Sequence, residues 1–356
     1  MNRLYGSIPP RFAEGCELRN LNLNGNQLEG PLPQSLSQCK NLEVLDLGNN
    51  KIDDTYPAWL EMLPKLQVLV LRSNKLHGFI TDFGVEHSFS SLRIFDISNN
   101  DFTGTLPVRL FQTMKAMMNA SEGASSFQYM KEEFNPYEYS MTVTMKSLVI
   151  VMKISTIFTS IDLSLNEFQG NIPGVIGELH SLKGLNLSHN RFDGLIPPSM
   201  GNLRNLEWLD LSSNNLIGDI PQELTSLTFL SVLNLSHNHL TGRIPLGKQF
   251  NTFSNGSFEG NLRLCGFPLS KTCNNNNETQ PPSSTLPEED HSGAEKGFIS
   301  WKVVFMGYGC GIIFGVSMGY IVFTTGKPKW FVKLVEGDQK KKSERLKKKA
   351  PGRSGR

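Results

Sequence analysis

The chain has 356 residues and a formal net charge of +2, with 38% hydrophobic and 19% charged residues. The near-neutral total conceals an uneven distribution. Residues 324–356 carry 12 Lys/Arg and three Asp/Glu, a local charge of +9, which leaves about −7 for the rest. This segment of 33 residues is several times too short for a protein kinase domain and lacks the motifs of one. We therefore expect no kinase domain in this segment.

Residues 4–245 are dominated by a repeat that returns about every 24 residues and reads approximately LxxLxLxxNxLxGxIP. A repeat of this length with leucines at these offsets is the signature of a leucine-rich-repeat solenoid. The sequence therefore predicts an α/β solenoid with short parallel strands and an irregular or 3-10 convex side. Such a fold presents a surface for binding. The anchor residues are Leu18, Leu42, Leu66, Leu92, Phe158, Leu182, Leu206 and Leu230.

An asparagine follows the predicted strand of each repeat. Its side-chain amide can pair with backbone groups of its own and the adjacent turn, which would otherwise be buried without partners. Stacked copies are therefore expected to form an asparagine ladder. The Gly-x-Ile/Leu-Pro segment that follows supplies a tight turn and a core aliphatic residue. The ladder asparagines are Asn26, Asn50, Asn74, Asn100, Asn166, Asn190, Asn214 and Asn238.

The sequence begins at Met1 inside the second half of a repeat, whose strand is missing. A solenoid needs a polar cap at each exposed end, and no cap or signal peptide precedes this repeat. We expect an N-terminal truncation, either a partial gene model or a shortened paralogue. A real start with a frayed first repeat is the alternative.

One column of predicted strand residues is expected to face the concave side. Its members Asp162 and Asp210 would lie on an open sheet, with no pocket to shift a carboxyl pKa. His189 and His237 each fall in a repeated Leu-Ser-His-Asn unit without a nucleophile nearby. We therefore expect no enzyme activity, no catalytic or metal site and no cofactor. The column comprises Asp46, Val70, Asp96, Asp162, Asn186, Asp210 and Asn234.

Five Asn-x-Ser/Thr sequons favour a glycosylated domain of the secretory pathway. Two of them lie in the concave column, where their glycans would cover the inner face of the last repeats. We therefore expect a ligand to use the interruption described next and the lateral surface. The sequons are at Asn119, Asn186, Asn234, Asn255 and Asn277.

The repeats are interrupted between Leu92 and Phe158, which are 66 residues apart. We place a non-repeat insert at 111–156, where the leucine columns give way to aromatic and charged residues. Loops carry function disproportionately, and an insert of this length calls for an explanation. An ordinary surface loop packed by its own aromatic residues is the alternative.

Four cysteines fall at the two ends of the repeats. Cys265 and Cys273 close the C-terminal end, and two cysteines without a nearby histidine pair make a poor metal site. Cys16 and Cys39 are predicted on the outer side of neighbouring repeats. They are either buried free thiols or a bridge.

Residues 303–323 are uncharged over 21 positions and are flanked by Trp301 and Trp330, which predicts one membrane-spanning helix. The basic tail that follows is expected in the cytoplasm and the repeats outside the cell, as in a single-pass type I protein. Its lysine runs are better explained by anionic lipid than by a nuclear signal, so we expect no nucleic-acid partner. Along one face of the helix, GxxxG spacing favours close contact with another helix. The glycines are Gly307, Gly311, Gly315 and Gly319.

Taken together, these segments resemble the plant leucine-rich-repeat receptor-like proteins of the Cf type. The segments are repeats at 1–110, an island insert at 111–156, repeats at 157–247, a cap at 248–274, an acidic linker at 275–302, the span at 303–323 and the tail at 324–356.

The resemblance implies a disulfide between Cys265 and Cys273 and a ligand or co-receptor contact in the island. Some family members carry Lys-x5-Tyr and Tyr-x8-Lys-Gly there. This chain has Lys131, Tyr137 and Lys146 at those positions, with Ser147 in place of the glycine.

The resemblance also implies a cell-membrane receptor without a kinase domain, which senses a peptide, protein or glycan. Signalling would pass through a receptor kinase bound by the glycine-lined helix. A developmental co-receptor of a peptide-hormone receptor kinase and a non-functional truncated remnant are the alternatives. The span and basic tail argue against a secreted inhibitor of cell-wall hydrolases.

Overall fold

The computed structural model describes residues 3–81, 89–118, 140–145, 148–153, 158–247 and 249–273. Its central feature is an eight-stranded parallel sheet with one strand from each repeat, as predicted. The middle residue of a strand, such as Leu45, enters the main core, whereas its neighbour Val44 faces the concave side. The strands are Asn20–Asn22, Val44–Asp46, Val68–Val70, Ile94–Asp96, Ser160–Asp162, Gly184–Asn186, Trp208–Asp210 and Val232–Asn234.

The remaining walls of the solenoid are short flank strands and 3-10 helices. The flank strands are Tyr5–Gly6, Gln27–Gly30, Lys51–Ile52, His77–Phe79, Asp101–Gly104, Glu167–Gly170, Arg191–Phe192, Ile217–Asp219, His239–Arg243 and Arg263–Cys265. The 3-10 helices are Gln34–Gln38, Ala58–Met62, Gly174–Glu178, Pro198–Asn202, Gln222–Ser226, Phe250–Thr252 and Asn255–Ser257. A proline precedes each of the first five, where its fixed φ suits the turn into the helix.

Aligned apolar residues fill the core between these walls. Phe102, Phe168 and Phe192 occupy one position in successive repeats and stack with ring centroids 6.2 and 6.4 Å apart. The stack crosses the interruption, because Phe102 and Phe168 come from opposite sides of it. The apolar column is therefore continuous through the break in the sequence.

The asparagine ladder is present as predicted. The side-chain amide nitrogen of Asn190 lies 3.0–3.2 Å from the carbonyl oxygens of Leu163, Leu187 and Ser188. Its Oδ1 accepts the backbone N–H of Phe168 at 3.0 Å. Asn261, in the cap, continues the ladder beyond the predicted members by bonding to the Leu235 and Phe258 carbonyls.

The structure sets the start of the interruption later than residue 111. Val108–Gln112 and Lys115–Met118 are α-helical and take the place of a convex 3-10 helix. Phe111, Met114 and Met117 are fully buried in the main core. The repeat therefore extends through Met118, because these apolar side chains replace the expected leucines.

The prediction that Phe158 is a core anchor is wrong. Its side chain belongs to the concave apolar cluster, not to the main core. Met117 is the residue buried at the corresponding point, and its carbonyl accepts the N–H of Ser181 in the next repeat. The described repeat packing therefore ends just after an anchor residue and resumes immediately before the strand Ser160–Asp162.

Part of the interruption is a β-hairpin that the sequence analysis did not anticipate. Strand Ser140–Met145 pairs antiparallel with Leu148–Lys153, from Ser140 opposite Lys153 to Met145 opposite Leu148. The alternation of apolar residues and threonines in the first strand is the sequence signal that could have revealed it.

Disulfides lie at both ends of the repeats. Cys265 and Cys273 are bonded to each other, next to the last flank strand. Cys16 and Cys39 are also bonded, which decides between the two states left open by the sequence. The latter bridge ties the first two repeats together across 23 residues.

The predicted membrane helix at 303–323 and the basic tail lie outside the described residues. Among the residues that the structure does describe, no helix is long and apolar enough to cross a bilayer.

We predict that Asn190→Ala will lower the free energy of unfolding of the full chain by about 2–4 kcal/mol. The substitution leaves the buried Phe168 N–H and several carbonyls without partners, and each such group costs roughly 1–3 kcal/mol. Chemical denaturation measures the loss.

Asn215→Ala is the matched control, because this neighbouring asparagine side chain is exposed. It should change the free energy of unfolding by no more than about 0.5 kcal/mol. Equal losses in the two variants would contradict the role assigned to the ladder.

Candidate ligand-binding surface

The concave sheet presents parallel rows of side chains, each running from repeat to repeat. The strands pair in register, so equivalent residues lie side by side. The first row is Asn20, Val44, Val68, Ile94, Ser160, Gly184, Trp208 and Val232. The second row is Asn22, Asp46, Val70, Asp96, Asp162, Asn186, Asp210 and Asn234.

An aromatic pair spans the first row beside the interruption. The rings of Phe158 and Trp208 stack with centroids 5.8 Å apart, although the strand Gly184–Asn186 lies between their repeats in the sheet. The indole covers Gly184, where a Cβ atom would collide with the ring. Glycine is therefore the residue that lets Trp208 reach across the intervening repeat. Both aromatic side chains are largely buried.

The second row is built on a turn that repeats from strand to strand. Asp162 Oδ1 accepts the backbone N–H of Ser164 at 3.0 Å and its hydroxyl at 2.6 Å. Asn186 Oδ1 accepts the same two groups of Ser188, at 3.1 and 2.8 Å. Because Asp and Asn both offer this acceptor, either residue can close the turn as the chain leaves the strand.

The carboxyl groups near the interruption are buried, contrary to the expectation of an open sheet. Asp96 and Asp162 are 4% and 7% exposed. Burial raises the pKa of Asp46, Asp96 and Asp162, and brings that of Asp162 to about 7 with a further contribution from the charge of Asp96. The prediction that nothing on this face could shift a carboxyl pKa is therefore wrong for Asp162.

Arg72 supplies the positive charge on this part of the face. Its Nη1 lies 3.7 Å from Asp96 Oδ2, and both side chains are nearly buried. The Arg72 charge also lowers the pKa of Asp46 and Asp96, although burial outweighs this effect on both. The centre of the concave face is thus a buried, charged cluster beside apolar residues and not an open binding groove.

Two grooves lie in the C-terminal block of repeats. A concave groove of about 490 Å³ is bordered by Asn186, Trp208, Asp210 and Asn234. A second groove of about 670 Å³ lies on the flank, where Ile217 and Leu262 are exposed. The concave groove is mainly polar and the flank groove mainly apolar, so the two would recognise different chemistry.

The described sequon asparagines differ in their surroundings. Asn186 and Asn234 border the concave groove and are half-buried, whereas Asn255 is exposed at the start of a 3-10 helix. The amides of Asn186 and Asn234 each donate to the carboxylate of the preceding repeat, Asp162 and Asp210, at 3.3 Å. Glycosylation at these positions stays a prediction.

Other predicted site residues lie outside the described residues. They are Asn119, Asn277, Lys131, Tyr137, Lys146, Gly307, Gly311, Gly315 and Gly319. His189 and His237 take the left-handed turn position immediately before the ladder asparagine, with φ of 53° and 55°.

The predicted column places Asp96 and Asp162 in succession, and the strands that carry them are paired. What the sequence did not reveal is that both carboxyl groups are buried. The expectation of an open sheet had no signal against it, because burial depends on the packing around the interruption.

Comparison with known proteins agrees with the architecture. The family model described as Leucine rich repeat matches residues 16–76, 158–216 and 185–240. A further Leucine Rich Repeat model matches residues 91–112. These matches lie on both sides of the interruption.

Among curated proteins, the chain is 51% identical over 256 residues to Receptor-like protein Cf-9 of Solanum pimpinellifolium. The alignment covers 70% of this chain and 29% of the relative. The chain thus spans about three tenths of the length of the curated relatives it matches.

Two solved plant ectodomains have a similar fold. The ectodomain of Arabidopsis thaliana GASSHO1/SCHENGEN3, in complex with CASPARIAN STRIP INTEGRITY FACTOR 2, is 31% identical to this chain, with a TM-score of 0.59. The match covers 77% of this chain and 27% of the GASSHO1/SCHENGEN3 chain. The Arabidopsis receptor kinase HAESA, solved in complex with the peptide hormone IDA and the co-receptor SERK1, is 27% identical to this chain, with a TM-score of 0.52. The match covers 74% of this chain and 41% of the HAESA chain. With its repeats, ladder and cap, the chain belongs to the plant leucine-rich-repeat receptor-like protein family.

Proposed function

We propose that this chain is part of a cell-surface receptor that senses a pathogen- or self-derived ligand with its repeats and signals through a partner receptor kinase. Its similarity to Cf-9 is the observation that carries the proposal. HAESA, a neighbour of the same fold, was solved with a peptide hormone and a co-receptor. A repeat surface that binds a ligand and a second receptor is thus compatible with this architecture.

The flank groove is the part of the described surface best suited to a ligand or co-receptor. Exposed Ile217 and Leu262 border it, and Thr241 and Arg263 add polar groups at its edge. An apolar surface with a few polar groups that fix orientation is the usual character of a recognition site. The central concave face is a poorer candidate, because its charged groups are buried against one another.

Glycans on Asn186 and Asn234 would occupy the concave groove and leave the flank groove open. Both asparagines border the former, and neither borders the latter. A ligand would then be restricted to the flank and to the interruption, including Lys131, Tyr137 and Lys146.

The partner kinase would be bound by the membrane helix predicted at 303–323. The four glycines at every fourth position allow a second helix to approach closely. The basic tail would follow on the cytoplasmic side. A developmental co-receptor of a peptide-hormone receptor kinase is the second candidate, favoured by the fold shared with the hormone-bound HAESA ectodomain.

Changing Gly307, Gly311, Gly315 and Gly319 together to leucine is predicted to abolish co-precipitation of a receptor kinase with the tagged full chain. Leucine side chains would hold the two helix backbones apart. Expression in leaf tissue, immunoprecipitation and mass spectrometry of the recovered kinases measure the effect.

The matched control changes Gly309, Ile313, Ser317 and Ile321 to leucine, two positions along and so on the opposite helix face. It should leave recovery unchanged at equal surface abundance. Undiminished recovery by the first variant would rule out docking through the glycine face.

Mass-spectrometric mapping of the secreted-pathway protein is predicted to find glycans on Asn186, Asn234 and Asn255. All three are sequon residues with at least partly exposed side chains. Unmodified Asn186 and Asn234 would remove the reason for excluding the concave groove as a ligand site.

A further inference from the structure

Two aspartates meet side by side where the interruption joins the two blocks of repeats. Asp96 and Asp162 are opposite each other on paired strands, although 66 residues separate them in sequence. Farther along the second row, Asp210 lies between Asn186 and Asn234. Toward the N-terminus, Val70 separates Asp96 from Asp46. Among the described residues of this row, the joint is the one place where two carboxyl groups are adjacent.

The polar contacts of the pair are unequal. One oxygen of each carboxyl group is held by the serine two residues later. The other oxygen of Asp96 faces Arg72 at 3.7 Å, whereas that of Asp162 receives a neutral amide N–H from Asn186 at 3.3 Å. Asp96 therefore has the Arg72 cation beside it, whereas the charged group beside Asp162 is the carboxyl group of Asp96.

Among the described residues, the elements next to the pair supply few other charges. Toward the N-terminus the charged groups are Arg72 and, beyond it, Asp46. Toward the C-terminus the next residue of the row is the neutral Asn186, and Asp210 follows it. On the lateral side, Lys183 pairs with Glu207 at 2.9 Å and Arg93 is half-buried. With every acid ionised, Arg72 would be the one described cation in contact with a row that holds three carboxylates, Asp46, Asp96 and Asp162.

We propose that Asp96 and Asp162 form a proton-controlled joint between the two blocks of repeats. A proton on the pair lets both side chains stay buried while the strands Ile94–Asp96 and Ser160–Asp162 remain paired. Loss of this proton leaves two adjacent carboxylates buried, and their repulsion weakens the pairing of the strands. Met118 and Phe158, the described residues on either side of the interruption, lie in the two repeats that the joint connects.

The direction of the pH effect follows from linkage. Burial and the Asp96 charge raise the pKa of Asp162 from 3.8 to about 7 in the closed joint. The closed state therefore binds the proton more tightly than an opened one. Its stabilisation is fully present below about pH 4 and is lost as the pH rises through about 7. The joint is thus firm in acidic medium and weaker in neutral or alkaline medium.

Hydrogen exchange of the full chain in lipid nanodiscs, between pH 5 and pH 8, tests the proposal. After correction for the intrinsic exchange rate, amides in Ile94–Asp96 and Ser160–Asp162 should lose protection by about tenfold or more, since one pKa unit corresponds to a factor of ten. Amides in Trp208–Asp210 and Val232–Asn234 should change much less. Uniform loss across the sheet, or no loss, would overturn the proposal.

Two matched double variants isolate the pair. Asp162→Asn with Ser164→Ala removes the titrating group, while the asparagine retains the acceptor seen in Asn186. Asp210→Asn with Ser212→Ala makes the same change where the neighbours are asparagines. The alanine in each variant eliminates the Asn-x-Ser sequon that the first change creates.

The Asp162 variant should show protection at the joint that no longer depends on pH, and the Asp210 variant should behave as the wild type. Equal pH dependence in all three proteins would contradict the assignment to this pair. If the Asp162 variant does not fold, Asp96→Asn with Ser98→Ala removes the other carboxyl group and should also reduce the pH dependence. A wild-type profile that is flat from pH 5 to 8 refutes the joint without any variant.

Discussion

The asparagine ladder is the interaction on which the rest of the structure depends. Each repeat must reverse direction immediately after its concave strand, and the residue before the ladder asparagine lies in the left-handed region, even for Leu165 at φ 55°. That conformation costs roughly 1–2 kcal/mol for a residue other than glycine. The asparagine offsets the cost by satisfying buried backbone groups of two adjacent turns. The same bonds therefore fix the turn and the stacking.

The ladder also explains how the solenoid tolerates an interruption. The amide nitrogen of Asn166 donates to the carbonyl of Ile97, and its Oδ1 accepts the N–H of Phe102, both from before the insert. Pairing across the joint is thus the same as pairing between consecutive repeats. The insert is tolerated because these ladder bonds and the strand pairing across the joint are the ones that a consecutive repeat would make. The length of the insert then matters little to the sheet.

The repeating parts of this fold could be predicted from sequence because the spacing of the leucines and asparagines determines which residues stack on one another. The concave strands, the ladder and the apolar columns all follow from residues 24 apart. The prediction failed where the period breaks. Phe158 occupies the expected position of an anchor leucine, yet its ring turns to the concave side to stack on Trp208. Met117 fills the core instead, and no fixed spacing could reveal that exchange.

Whether Cys16 and Cys39 are free thiols or a disulfide could not be predicted for a related reason. Their separation of 23 residues is known from the sequence, but the orientation of their side chains is not. The candidate surface was predictable only in outline. Sequence identified the row that contains Asp96 and Asp162, and the pairing of two distant repeats determined that they are neighbours.

In the second row of the concave face, the turn after the strand uses a side-chain oxygen acceptor, and either Asp or Asn can provide it. In five of the eight repeats this acceptor lies two residues before a serine. Asparagine there creates an Asn-x-Ser sequon as a by-product, so Asn186 and Asn234 are explained by the fold before any glycan is considered. Asparagine also donates to the carboxylate beside it, which an ionised aspartate cannot do. The order of Asp and Asn along the row therefore determines where negative charge is relieved and where, at the joint, it accumulates.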